Sequence, residues 1–165
     1  MEISQQYFVF NLDKQTYALK LSSVEKVIRI VELIPVPETI QYLLGLINVE
    51  GRILPVFNIR ERFRLPKRDM DLEDRILLTS TSYGVIGIIV DSVYGIMTFN
   101  QNDIRIGSEI YPNMDNFIEG VWKSGDKSTL IYNVDHLFPP LKKGELDKVL
   151  STPQPIDNKE QSNES

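Results

Sequence analysis

The chain reads as mainly β: two similar lobes, each a small barrel of about five short strands, with short helices and a helical segment towards the C-terminus. Three observations carry this reading. Short runs rich in β-branched and aromatic residues recur, each bounded by Gly, Asn, Asp or Ser, which is how strands and tight turns are written. An anchored pattern occurs twice: Gly45, Asn58 and Phe63 return as Gly120, Asn133 and Phe138 with unchanged separations, and Tyr17, Leu19, Leu21 and Val24 return as Ile86, Ile88, Val90 and Val93. One structural unit is therefore used twice. Finally, short strands leave bare edges unless they close on themselves, so each unit is drawn as a barrel.

Taken in order, Tyr7 to Leu12 and Thr16 to Leu21 flank a polar Asp13-Lys14-Gln15 break and form a first hairpin. In its second strand Tyr17, Leu19 and Leu21 alternate with Ala18 and Lys20, one face buried and one wet. Ser22 and Ser23 are cap candidates for one helical turn, after which Val27 to Val31 reads as strand. Pro35 and Pro37 exclude a helix interior, but Pro37 suits the first position of a short helix over Glu38 to Leu43. The central stretch places two apolar runs, Leu46 to Val49 and Ile53 to Ile59, on either side of Glu50-Gly51-Arg52. That is a hairpin whose turn needs a positive φ, which Gly51 adopts without a Cβ clash. Arg60 to Phe63 is one helical turn.

Lys67 to Asp74 is a charged connector and the boundary between halves, so lobe one spans about 7–66 and lobe two about 75–140, with the first strand available to both. Arg75 to Ser80 and Gly84 to Asp91 form a second hairpin, whose latter strand is apolar and buried on both faces. Val93 to Asn100 continues in strand or turn, Asn102 to Met114 is irregular, and Phe117 to Trp122 and Thr129 to Val134 flank a turn at Ser124-Gly125-Asp126. Leu137 to Leu150 is helical in part, interrupted by Pro139, Pro140 and Gly144. Residues 1–150 thus form one folded unit, and 151–165, polar with two prolines, a disordered tail.

Composition excludes several classes. A net charge of -5 repels nucleic acid and anionic lipid unless a basic patch outweighs it, and the 18 Lys and Arg are scattered among 23 Asp and Glu. The absence of cysteine excludes disulfides, thiolate metal sites and cysteine nucleophiles, and suits a reducing compartment. Met1 to Gln6 lacks the basic start and apolar run of a secretory signal, and no stretch of about 18 apolar residues marks a membrane span. The expectation is a cytoplasmic protein with no direct membrane insertion.

No constellation of residues carries catalysis or implies a cofactor. His136 is the only histidine, at the end of the last strand, and metal binding by His or Cys clusters fails on numbers. Asp91-Ser92-Val93 starts like an aspartic-protease loop, but Val93 stands where that loop has Gly and no second copy exists, so it reads as a strand-end turn. Asp69, Asp71, Glu73 and Asp74 lack the spacing of a calcium loop and read as a solvated connector. No phosphate-binding glycine loop is present. A small-barrel nucleic-acid-binding protein is the alternative of a different class. Against it, Phe8, Phe10, Phe57, Tyr132 and Trp122 sit in apolar runs, and the charge has the wrong sign. What remains is an interaction module: two barrels side by side form a groove, and one lined by Val, Ile and Leu accepts a partner helix or barrel.

Gly45-Leu46-Ile47-Asn48-Val49-Glu50-Gly51-Arg52-Ile53-Leu54-Pro55-Val56-Phe57-Asn58-Ile59-Arg60 resembles the signature of the CheW-like chemotaxis coupling (adaptor) proteins. That signature runs Gly, two hydrophobic residues, Asn-Leu-Arg-Gly, any residue, two hydrophobic residues, Pro-Val, a hydrophobic residue, Asp-Leu-Arg. The resemblance extends over about residues 7–140, through Tyr7 to Leu12, Ser22 to Ile28, Val36-Pro37 and Gly87 to Val93. It implies two SH3-like five-stranded barrels, no enzymatic activity, and recruitment to membrane-associated receptor arrays. The implied partners are the regulatory domain of a CheA-type histidine kinase and the cytoplasmic tip of methyl-accepting chemoreceptors; a paralogue serving another array, controlling pili or gene expression, is the alternative.

Carried over by position, the implied partner-binding residues are Val24, Lys26, Gly45, Asn48, Glu50 and Gly51. Gly45 and Gly51 suit either structure or close approach, Asn48 suits a hydrogen bond to the turn, and Pro55 and Val56 belong to the barrel. Two departures concern charge: Glu50 replaces the signature's Arg, and Lys26 replaces the acidic residue usual two positions after Val24. The swap is expected to place Lys26 and Glu50 against each other or against charge-reversed partners. Asn58 replaces the signature's Asp, as Asn133 does in the repeat.

Overall fold

The computed structural model describes residues 3–37, 40–110 and 118–139. The strands are β1 (Ser4–Leu12), β2 (Gln15–Lys20), β3 (Val24–Arg29), β4 (Leu43–Val49), β5 (Arg52–Phe57), β6 (Arg75–Thr81), β7 (Gly84–Val90), β8 (Ser92–Asn100), β9 (Ile104–Ile106), β10 (Ile118–Ser124) and β11 (Lys127–Tyr132). Single helical turns α1 (Ile59–Arg62), α2 (Gly107–Ile110) and α3 (Val134–Leu137) follow β5, β9 and β11, and 3-10 turns occupy Leu21–Ser23 and Gln101–Asp103. Among the described residues no helix is long and apolar enough to cross a membrane.

The strands form two sheets, in the orders β3-β6-β7-β5-β4 and β8-β1-β2-β11-β10-β9. Each becomes a ring. In the first, the chain leaving β3 bends so that Ile34 exchanges backbone hydrogen bonds of 2.7 and 2.9 Å with Leu46 of β4, joining the two edges. In the second, β8 and β9 are consecutive, separated by one 3-10 turn, so the same bent segment meets β1 at one end and β10 at the other. Counted as one bent strand, β8 and β9 make this ring five-stranded as well. Closure leaves few free edge groups for unintended pairing.

The halves drawn at 7–66 and 75–140 do not each own a ring. The first ring takes β3, β4 and β5 from the first half and β6 and β7 from the second; the remaining strands, β1 and β2 among them, build the other. The halves meet at four seams, two of them parallel, β5 with β7 and β11 with β2, and two antiparallel, β3 with β6 and β1 with β8. Tyr17 and Leu19 of β2 and Ile86 and Ile88 of β7 are repeat mates, so each half lends the equivalent hairpin, β1–β2 or β6–β7, to the ring completed by the other. The hydrogen bonds of β1 belong to the second ring, while its Phe8, Phe10 and Leu12 face the core shared with the first.

Among the described residues three apolar cores follow from the period-two alternation of strand side chains. Ile76 and Leu78 of β6 point inside the first ring with Ile47, Leu54 and Val56. Tyr7, Val9, Ala18, Phe99 and Ile131 fill the second ring. Leu77 joins Phe10, Tyr17, Phe57, Ile88, Tyr132 and Phe138 in the core between the rings. Burying each such side chain contributes about 1.5–3 kcal/mol. β2 is consequently buried on both faces at Ala18, and the expected wet face is restricted to Lys20.

The repeat is visible at atomic scale. Asn58 Oδ1 accepts the Glu61 N–H at 3.1 Å and Asn133 Oδ1 accepts the Asp135 N–H at 3.0 Å, each capping its helical turn. Gly45 and Gly120 both sit where the strand register shifts, and a Cβ there would lie 2.7 Å from the Ile34 carbonyl oxygen and 2.6 Å from that of Arg105. The two helical turns dock crosswise. Arg60 of α1 reaches Asp13 on the β1–β2 turn at 2.6 Å and Asp91 at 3.1 Å, while Asp135 of α3, its repeat mate, accepts the Ser82 N–H on the β6–β7 turn at 2.7 Å.

Several local expectations are corrected. The helix expected over Glu38 to Leu43 does not reach its end: Tyr42 has φ 66°, which no right-handed helix tolerates, and Leu43 already opens β4; Glu38 and Thr39 lie outside the described residues. Neither Ser22 nor Ser23 caps the 3-10 turn; Ser23 Oγ donates to the Lys20 carbonyl at 2.7 Å, and the strand starts at Val24 rather than Val27. Asn102 to Ile110 is ordered as the 3-10 turn's end, β9 and α2. The last helical turn begins at Val134 and ends at Leu137, and the segments expected to be helical to Leu150 and disordered from Ser151 lie outside the described residues beyond Pro139.

Candidate functional site

The hairpin of β4 and β5 turns on two residues, Glu50 and Gly51, with φ 52° and 85° and Val49 facing Arg52 across the turn. Positive φ at both central positions is the turn whose twist matches paired strands. Asn48 holds it, its Oδ1 accepting the Gly51 N–H at 3.0 Å. The tip meets β3 across the mouth of the first ring. Lys26 Nζ lies 3.2 Å from Glu50 Oε1, and an Arg52 guanidinium nitrogen lies 2.6 Å from Glu25 Oε1. The hydrogen bond from Arg52 holds the Glu25 carboxyl below the usual range. Two crossed ion pairs thus close the rim where the sheet's two ends approach, and the swapped charges at Lys26 and Glu50 satisfy each other within the chain.

Of the expected site residues, Lys26, Asn48, Glu50 and Gly51 come together at this mouth. Gly45 does not join them. It is buried in β4 beneath the Ile34 carbonyl, and its lack of a side chain serves ring closure. Val24 lies apart on β3, half-buried against the core between the rings and opposite Thr79, which is in turn opposite Ile86.

That row leads into a groove between the rings. β5 supplies Ile53 and Pro55, the β6–β7 hairpin Thr81, Tyr83 and Ile86, and α3 Val134 and Asp135, with Phe138 just after it, around a cavity of about 240 Å³. Ile53 and Tyr83 are 38% and 64% exposed, so apolar surface is open to a partner here. The reading of the sequence named neither of these residues, nor Glu25, Arg52 or Asp135, as part of a site. One signal was present for Asp135: it stands where the first half has Arg60, a reversal of charge at matched positions.

The architecture first defines a class: a mainly-β protein of two strand-exchanged five-stranded rings with an apolar groove between them. The chain belongs to the CheW family, the model of the CheW-like domain matching residues 6–141. It is 24% identical over 133 residues to the chemotaxis protein CheW of Helicobacter pylori, covering 81% of each chain, and 25% identical over 128 residues to that of Bacillus subtilis, covering 77% of this chain and 82% of the relative. The crystal structure of the scaffolding protein TtCheW from Thermoanaerobacter tengcongensis superposes with a TM-score of 0.74 at 28% identity, covering 85% of this chain and 99% of that one. The chain is thereby a family scaffold of chemotaxis signalling.

Proposed function

We propose that this chain couples chemoreceptors to a CheA-type histidine kinase without catalysing a reaction itself. The receptor's cytoplasmic tip docks along the groove between Val24 and Ile53, beside the mouth formed by Lys26, Asn48, Glu50 and Gly51, and the kinase regulatory domain associates through the barrel ends. Through the receptor the chain is recruited to membrane-associated arrays. The observation that carries this reading is the open apolar groove, whose floor is continuous with the buried core between the rings. Such a surface presents fixed apolar area at little ordering cost.

The test is a titration of the full chain with the cognate kinase regulatory domain and, separately, with a receptor tip fragment. Binding of both at tens of micromolar or tighter is expected; binding of neither would leave only the fold.

A further inference from the structure

The two parallel seams are built from matched residues but are finished differently. Between β11 and β2 the register runs over Thr129, Leu130 and Ile131, and Gln15 closes the seam by donating from Nε2 to the Ser128 carbonyl at 2.7 Å and to that of Thr16 at 3.0 Å. Between β5 and β7 the register covers only Val56 and Phe57, and beyond them the strands part around the cavity. In the repeat alignment Gly84 stands where Gln15 stands, so the side chain that closes the other seam has no counterpart here. The opening is thus not imposed by the fold, because the same fold shuts it on the other side.

The cavity walls are apolar, with Ile53, Pro55, Ile86, Val134 and Phe138, and Tyr83 stands at the entrance. Among the described residues one charged side chain lines it, Asp135. Its carboxylate accepts the Ser82 N–H, and among the described residues no cation lies within ion-pair distance of it. An apolar cavity with a single unpaired carboxylate complements a bulky apolar side chain that has a cation beside it.

We propose that this cavity is the anchor point of the groove: it takes one large apolar side chain of the docked receptor segment, and a Lys or Arg neighbouring that side chain pairs with Asp135. The inference rests on the coupling reading above and narrows it to a subsite and a partner chemistry.

The test is calorimetric titration of the full chain with the receptor tip fragment, and separately with the kinase regulatory domain, at low and high salt. Tyr83→Ser and Ile53→Ser weaken receptor binding roughly tenfold each, as truncation at a buried contact does. Asp135→Asn, which keeps an acceptor for Ser82, weakens it several-fold at low salt and flattens its salt dependence. None of the three changes kinase binding, and Leu72→Ser, at a connector residue 87% exposed, changes neither. Melting curves taken alongside establish that each variant is folded.

If the unaltered chain binds neither ligand, the coupling reading falls and this one with it. If it binds the receptor fragment and the three cavity variants bind equally well with unchanged salt dependence, only the subsite is overturned. Sedimentation showing a second copy of the chain as the guest, released by Asp135→Asn, also overturns it.

Discussion

Phe63, from the first half of the chain, stacks on Tyr132, from the second, with ring centroids 4.4 Å apart. Their repeat mates reverse the arrangement: Phe138 of the second half stacks on Phe57 of the first at 4.7 Å. Each aromatic follows a helical turn and lands on the partner half, so the two contacts clamp the core between the rings. Phe63→Ala and Phe138→Ala are each expected to destabilise the chain by about 3 kcal/mol. Urea denaturation followed by intrinsic fluorescence and by circular dichroism measures this, and coincident curves are expected because both rings lean on one core. Separate transitions for the two rings would contradict it.

Asn58 and Asn133 provide a milder and more local test. Replacing either by Ala removes one cap and costs about 1 kcal/mol. The caps sit on different helical turns and share no partner, so the double variant is expected to lose the sum within experimental error.

Three glycines separate close approach from turn geometry. Gly45→Ala and Gly120→Ala drive a methyl into a backbone carbonyl that cannot retreat without opening the ring, and each is expected to cost at least ~2 kcal/mol. Gly51→Ala meets no atom within 4 Å and pays only for its φ of 85°, about 1 kcal/mol. Equal losses at all three positions would refute the assignment of Gly45 to ring closure.

The ion pair of Lys26 and Glu50 is exposed, with side chains 48% and 78% accessible, and its coupling energy in a double-mutant cycle is expected below about 1 kcal/mol. Exchanging the pair, Lys26→Glu with Glu50→Lys, therefore leaves stability nearly unchanged. Receptor binding is the sensitive readout: the exchanged chain is expected to bind its own receptor tip more weakly.

Asp91 is expected to contribute to the acid sensitivity of the fold. Burial raises its carboxyl, but the Asp13 N–H and the Arg68 and Arg60 guanidinium groups outweigh burial and hold it below the usual range. A carboxylate depressed in the folded state stabilises fully above its unfolded value, and that stabilisation is lost as pH falls through the folded one. The loss is expected to begin near the ordinary Asp value of about 4 and finish below it. Asp91→Asn, measured by denaturation against pH, is expected to be less stable at neutral pH and to show a flatter acid limb.

Much of this structure is legible in the residues because the repeat marks it. Gly45 with Gly120 and Asn58 with Asn133 mark equivalent positions in the two halves, while their roles at register shifts and as caps follow from the strand pairing and hydrogen bonds, and the runs around Asp13, Glu50, Ser82 and Gly125 locate the hairpins. Strand partnership is another matter. β2 and β7 carry the same alternation, so β5 can pair with either on pattern alone, and only the global geometry selects the strand from the other half. β9 escapes notice because three residues are too few to show a period. The swapped charges at positions 26 and 50 suggested an ion pair; the second pair, of Glu25 and Arg52, coincides with a register shift in β3 at Glu25. The cavity beside Asp135 is legible only after alignment of the repeat, where Gly84 answers to Gln15.

The exchange of strands also says what the connector between the halves does. Neither half contains a complete ring, so two separate halves would have to find each other at a rate and with a stability set by their concentration. Residues 64–74, running from α1 to β6 without regular structure, make that encounter intramolecular. A short tether of this kind holds the partner strands at an effective concentration in the millimolar range. The connector therefore governs whether the scaffold exists at cellular abundance, and a cut within it would convert one folded chain into a dilution-sensitive pair of fragments.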